Sequence, residues 1–190
     1  MNDAGHDHEP VSQCFPELKK VTLEREARYL EDPTANAPQG PQSTVEVSVR
    51  SVGKLNELAR SDKSGRNWVI SEPPHVGGLA NAPTPLEYLL SGALGCFAAV
   101  FAFYAAKWDV AYETFVASAK AELDVRGHMI EDAPPSGFRR VTIEITVGVA
   151  GEPDRAALER VLDASMRGCP GISTLRDPVE FETALSVHTV

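Results

Sequence analysis

The chain reads as an α+β protein of antiparallel sheet around one very apolar helix. Three observations carry that reading. From Tyr88 to Ala106 run 19 residues without a charge. Val141, Ile143, Ile145 and Val147 alternate with Thr142, Glu144 and Thr146, the period of a half-buried strand. Strand-like and helix-like segments come in groups, in the order β-β-β-α-β-β-α-β after a helical front section, which differs from the strict alternation of a doubly wound parallel fold.

The elements follow in order. Residues 1–9 are polar and acidic and read as a disordered tail. His6 and His8 in it are read as part of that tail, not as metal ligands. Residues 11–31 carry a helical period in Leu18, Val21, Leu23 and Leu30, ended by Pro33. Pro38, Gly40 and Pro41 mark a linker. The period then changes to two. Val45, Val47 and Val49 alternate with Glu46, Ser48 and Arg50, predicting a half-buried strand. Val52-Gly53-Lys54 is a turn, and Leu55 to Ser61 return as the second arm of a hairpin. Trp68 to Ile70 is a short third strand, closed by Pro73-Pro74.

The loop Gly77-Gly78-Leu-Ala-Asn-Ala-Pro83 leads into the long helix. Thr84 suits its N-cap, and Pro85 its first position, where a missing N–H costs nothing. The helix is predicted over Pro85–Trp108. Length and lack of charge would let it cross a bilayer, but its Gly, Ala and Ser content and its soluble flanks favour a core helix, covered on all sides and against its own copy in a dimer. Glu113 to Arg126 form a strand with Phe115, Ala117, Ala119, Ala121 and Leu123 on one side. A Pro-Pro-Ser-Gly turn at 134–137 precedes the strand centred on Ile143. Pro153 and Asp154 open a second helix with Leu158, Val161, Leu162 and Met166 on its apolar face, ending near Gly168. A short turn or helix reaches Leu175. Val179 to Val187 read as a final strand, through Val179, Phe181 and Leu185. Residues 1–44 are thus an extension, and residues 45–190 the main domain.

Composition excludes several classes. The chain has 190 residues, 43% apolar and 24% charged, with a net charge of −9. That charge disfavours nucleic acid and anionic membranes, since either demands a basic patch. No basic segment precedes an apolar stretch at the start, so the expected location is cytoplasmic. Three cysteines there read as free or redox thiols, not as a disulfide framework. No glycine loop stands in the strand-to-helix frame of a dinucleotide site. His75 and His128 lack partners at metal-ligand spacing. No cofactor is expected.

Two cysteines stand in distinctive frames: Pro85-Leu-Glu-Tyr-Leu-Leu-Ser-Gly-Ala-Leu-Gly-Cys96, and Gly168-Cys169-Pro170 after the second helix. Cys14 reads as incidental. Together with Glu72-Pro-Pro-His-Val-Gly77-Gly78 and Pro83-Thr-Pro, these frames resemble the OsmC/Ohr family, the osmotically inducible and organic hydroperoxide resistance proteins. The resemblance covers residues 45–190. It implies an OsmC-like, tightly interwoven homodimer whose central helices pack back to back under sheets from both chains. It also implies thiol peroxidase chemistry. Cys96 would attack the O–O bond of an organic hydroperoxide, Cys169 would resolve the product as a disulfide, and a dithiol reductant would restore both.

That chemistry constrains the surroundings. A thiol buried among apolar side chains resists ionisation, so Cys96 needs a cation or donors nearby. In the family an arginine from the early strands supplies this, held by a glutamate at the start of the central helix. Arg60 is the first choice for that arginine, with Arg50 and Arg66 as alternatives. Glu87 is the candidate glutamate, but the best-known peroxidases carry theirs directly after the proline, where this chain has Leu86. On one regular helix the spacing from Glu87 to Cys96 turns through about 900° and rises about 13 Å, which sets the two on opposite faces. The simpler role for Glu87 is with the helix N-terminal charge and a nearby arginine. Cys169 either follows a helix C-terminus or begins the next short helix, which would favour its thiolate; Arg167 suits either case. Phe97, Phe101 and Tyr104 are core residues or the walls of a pocket for a bulky organic peroxide. The competing reading is an OsmC-like protein without strong peroxidase activity, a small-molecule-binding or stress-related structural dimer.

Overall fold

The computed structural model describes residues 11–33 and 43–187. The expected tail with His6 and His8, and the linker at Pro38, Gly40 and Pro41, lie outside the described residues. The front helix is α1 (Phe15–Glu31), entered through a 3-10 turn at Val11–Cys14. Three strands follow, β1 (Val47–Gly53), β2 (Asn56–Ser61) and β3 (Asn67–Ser71), paired antiparallel in that order. The central helix α2 spans Pro85–Lys107, with Trp108 as its C-cap. A second sheet pairs β4 (Thr114–Leu123) with β5 (Phe138–Gly148). Helices α3 (Arg155–Gly168) and α4 (Pro170–Arg176) complete the fold. The α+β class and the antiparallel pairing agree with the sequence reading.

The core sits between α2 and the β4–β5 sheet. Phe97, Phe101 and Ala105 recur at helical spacing on α2 and are buried against Tyr112 and Phe115. The Phe101 ring lies 5.0 Å from Phe115 and 5.5 Å from Tyr112, separations typical of attractive aromatic pairs. Burial pushes the Tyr112 phenol up to about 12, with the Cys14 thiol adding to the shift. Val161 and Ile172 bring α3 and α4 onto the same core. Phe97 and Phe101 are therefore packing residues. Helix α2 is long and apolar enough to cross a membrane by composition, but this buried stripe makes it the core helix of the fold.

Helix α1 docks on α2, although none of its residues is buried. Phe15 meets the edge of Tyr112 at 5.4 Å. Lys19 pairs with Asp109 at 2.6 Å, and Glu26 with Lys107 at 2.5 Å. The front section is held to the body at both ends of its helix.

Three expectations are corrected. The turn of the first hairpin falls at Lys54 and Leu55, both at φ near 50°, after a β1 that runs through Gly53. Paired left-handed residues give the twist that matches two flanking strands. Second, β1 is exposed along its whole length, with Val47 and Val49 at 51% and 56%. The period-two pattern is real, but its apolar face is uncovered among the described residues. Leu86 and Leu89 on α2 are likewise exposed in the single chain, the face on which a second copy was expected. Third, Val179–Val187 forms no strand. Phe181 and Leu185 there are 87% and 90% exposed. An alternating segment without a sheet edge to pair has no partner for its backbone groups.

Candidate active site

Two helices position the thiols. Cys96 lies in the middle of α2, on the turn before Val100. Cys169 caps the N-terminus of α4, with Pro170 as the first helical residue. Of the two placements the sequence allowed for Cys169, the start of the next helix is the one adopted. The backbone reverses between α3 and α4 at this residue, which drops its side chain into the core, fully buried.

Gly171 permits the approach. A Cβ at that position would stand 3.0 Å from the Ala93 Cα and 3.1 Å from the Cys96 Cβ. With hydrogen there instead, α4 packs directly on the α2 turn that carries Cys96. Cys96 and Cys169 are thereby neighbours, close enough for Cys96 to shift the Cys169 thiol, and both are free cysteines. Cys14, the third, is exposed and donates to the Val11 carbonyl at 3.0 Å.

Burial and its neighbours set the state of the Cys169 thiol. Burial pushes the Cys169 thiol up, and the hydrogen bond and charge of Cys96 push it the same way. The amides of Ile172 and Gly171 face its sulfur and pull the other way. They fall short of a full capping hydrogen bond, and the net direction is upward. The helix N-terminus therefore does not prevail, because desolvation of a thiolate in the core exceeds what two imperfectly aligned amides return. Cys169 is held as a protonated thiol beside Cys96.

The other predicted site residues stand elsewhere. Glu87 accepts from the Thr84 amide at 2.7 Å and from its hydroxyl at 2.8 Å, while its own amide donates back to Thr84 Oγ1 at 3.3 Å. This is a capping box. The Thr84 amide, followed by its hydroxyl, holds the Glu87 carboxyl below its ordinary value. The role with the helix N-terminus is the one realised, and no arginine joins it among the described contacts. Arg60, on β2, faces solvent with Asp62 Oδ1 at 3.7 Å. Neither Arg60 nor Glu87 has a recorded contact with Cys96 or Cys169 within one protomer, nor do Arg50, Arg66 or Arg167.

The Gly-Gly motif positions α2. Gly77 takes φ of 98°, and a Cβ on Gly78 would overlap the Glu72 carbonyl. The chain thus folds back tightly on the end of β3, and Tyr88 then donates to the Val69 carbonyl at 2.8 Å. Sequence reading missed Gly171 as a shaping residue, whereas Tyr104, expected in the core or in a pocket wall, packs against the core cluster and lines a cleft. The Tyr104 hydroxyl would lie 2.9 Å from a Cβ on Gly168. The Pro-Gly pair after Cys169 was the available signal for Gly171.

Comparison with known proteins places the fold. The sequence profile of the OsmC-like protein family matches residues 78–184. An OsmC-like protein from Mycoplasma pneumoniae superposes with a TM-score of 0.60 at 17% identity, over 72% of this chain and 89% of that one. An organic hydroperoxide resistance protein OsmC from Legionella pneumophila gives 0.53 at 17%, over 71% and 90%. An OsmC-like protein of unknown function from Vibrio cholerae gives 0.54 at 16%, over 70% and 94%. At such identities these likenesses concern the fold alone. A search of curated protein sequences found no significant match. The profile takes in more than half of the residues, both cysteines among them, and on that ground the chain belongs to the OsmC-like protein family.

Proposed function

We propose that the protein reduces organic hydroperoxides with Cys96 as the peroxidatic and Cys169 as the resolving thiol. The observation that carries this reading is the packing of α4 across Gly171 onto the Cys96 turn of α2, which makes neighbours of two free thiols, one of them buried. The Cys96 thiolate attacks the distal oxygen of ROOH; the O–O bond breaks, and the alkoxide takes a proton to leave as ROH. Cys96 becomes a sulfenic acid. Cys169 then displaces its hydroxyl, forming the disulfide and releasing water. A dithiol reductant restores both thiols by exchange. Two persistent free thiols suit a reducing, cytoplasmic setting.

In this reading residues 45–190 are the catalytic unit and residues 1–44 an extension, and the unit works as a homodimer. The uncovered faces of β1 and α2, and the unpaired 179–187 segment, are surfaces that a second copy would cover. Arg60 would then reach the thiol pair from the sheet of that second copy. One observation favours the alternative, a binding or structural dimer: Glu87 is committed to capping its helix, and Arg60 faces Asp62.

A thiol count with one equivalent of cumene hydroperoxide separates the two. The wild type is expected to lose two thiols and gain a Cys96–Cys169 disulfide by mass, while Cys96→Ser does not react and Cys169→Ser stops at an oxidised Cys96. Unchanged thiols in the wild type would leave the binding or structural role.

A further inference from the structure

Helix α1 and α2 enclose a cleft of about 480 Å³, within the range of small-molecule sites. Its floor is apolar: Val21 from α1, and Val100, Phe103 and Tyr104 from α2. Its inner end is closed by Gly168 and Pro170, the two residues that flank Cys169. Val100 lies one helical turn beyond Cys96. The outer wall belongs to α1, which precedes the segment matched by the family profile.

The rim carries two cations in different states. Lys107 is neutralised by Glu26. Arg25 is not: its Nε and Nη2 donate to the Tyr29 hydroxyl at 3.1 and 2.7 Å, and its guanidinium lies 5.6 Å from the Tyr29 ring centre. A neutral phenol orients the guanidinium without cancelling its charge. No carboxylate lies within ion-pair distance of Arg25 among the described residues. A fixed, uncompensated guanidinium at the mouth of an apolar cleft matches a molecule with an anionic head and a hydrocarbon body.

The geometry points to the α1–α2 cleft as a binding site for amphipathic organic carboxylates, with Arg25 holding the carboxylate and the hydrocarbon body running inward towards the Cys169 end. The site rests on the peroxidase reading only for its purpose, which would be to select carboxylate-bearing hydroperoxides over neutral ones. Binding itself is independent of any thiol chemistry.

Calorimetric titration of the full chain with octanoate and with octanol tests it. Octanoate is expected to bind one site per chain, and octanol at least tenfold more weakly. Arg25→Ala should weaken octanoate roughly tenfold, as loss of a charge-assisted contact does, and leave octanol unchanged. Val21→Trp, which fills the cleft, should weaken both, with circular dichroism confirming that each variant is folded. Equal affinity for the two probes, no effect of Arg25→Ala, or no binding of octanoate would overturn the site. These outcomes stand apart from the thiol count, which can succeed or fail whichever probe binds.

Discussion

The two sheets of this molecule share an alternating pattern and meet opposite fates. The β4–β5 sheet and the β1–β3 sheet both show period-two patterns of branched residues. Behind β4–β5 lies α2, and Phe115, Ile143, Ile145 and Val147 pack on the core there. No described element lies behind β1, and Val47 and Val49 stay exposed. An alternating pattern reports which face is apolar, but not which chain covers it. The first half of the molecule is shaped for a surface that the second half already contains within itself.

The largest expected effects test that contrast directly. Phe101→Ala removes the ring at the centre of the body, where Tyr112 and Phe115 meet it. It should cost about 3–5 kcal/mol in urea unfolding, the range for a buried aromatic truncated to alanine. Val49→Asp should leave the fold of a single chain almost untouched, because the side chain is already exposed. If a second copy covers β1, the same change should convert a dimer into a folded monomer in sedimentation equilibrium. A wild type that sediments as a monomer at every concentration would break the comparison, and β1 would then be exposed for some other purpose.

Legibility in the sequence followed the same line. The capped start of α2 was readable because Thr84, Pro85 and Glu87 act through the backbone within one turn. Strand β5 was readable because its partner face is in the same chain. The hairpin turn was misplaced by a residue or two, since Lys54 and Leu55 are not residues that ordinarily signal positive φ. The absence of a strand over Val179–Val187 was not readable, because pairing depends on an available sheet edge and not on local pattern. At the site, the meeting of Cys96 and Cys169 was suggested by family resemblance, and its physical cause, Gly171 against Ala93, required the packing of α4 on α2. The protonation of Cys169 was similarly hidden. A helix N-terminus argues for a thiolate, and only its complete burial reverses the sign.

That reversal gives an intermediate effect, one that bears on the body side of the contrast. The Cys169 pKa is raised above the ordinary thiol value of 9.0. The native state therefore keeps a proton that the unfolded state has lost once the pH exceeds that value. Stability contributed by the buried thiol is complete below the unfolded pKa and declines as pH rises towards the folded one. Alkylation of Cys169 by iodoacetamide should stay slow through neutral pH and accelerate only on the alkaline side of an ordinary thiol. Cys96→Ala removes the neighbouring charge and hydrogen bond, so the alkylation profile should move to lower pH. A profile that stays in place would mean that burial alone sets the Cys169 thiol, with Cys96 contributing nothing.

The smallest effect concerns the hinge between the two regions, where β3 hands the chain to α2. Thr84→Ala deletes the hydroxyl that accepts from the Glu87 amide and should cost about 1 kcal/mol, the usual value of an N-cap. Glu87→Gln keeps an acceptor for the Thr84 amide but loses the charge at the helix N-terminus. Because the Glu87 carboxyl is held below its ordinary value, its contribution is present above the unfolded carboxylate pKa and fades as pH falls through the folded one. Glu87→Gln should therefore lower the thermal midpoint slightly at neutral pH and not at all in acid. Its rate of thiol loss with cumene hydroperoxide should match the wild type if capping is its whole role. A rate that collapses while the melting curve barely moves would place Glu87 in the chemistry, reaching an arginine and a thiol that only the assembled dimer brings to it.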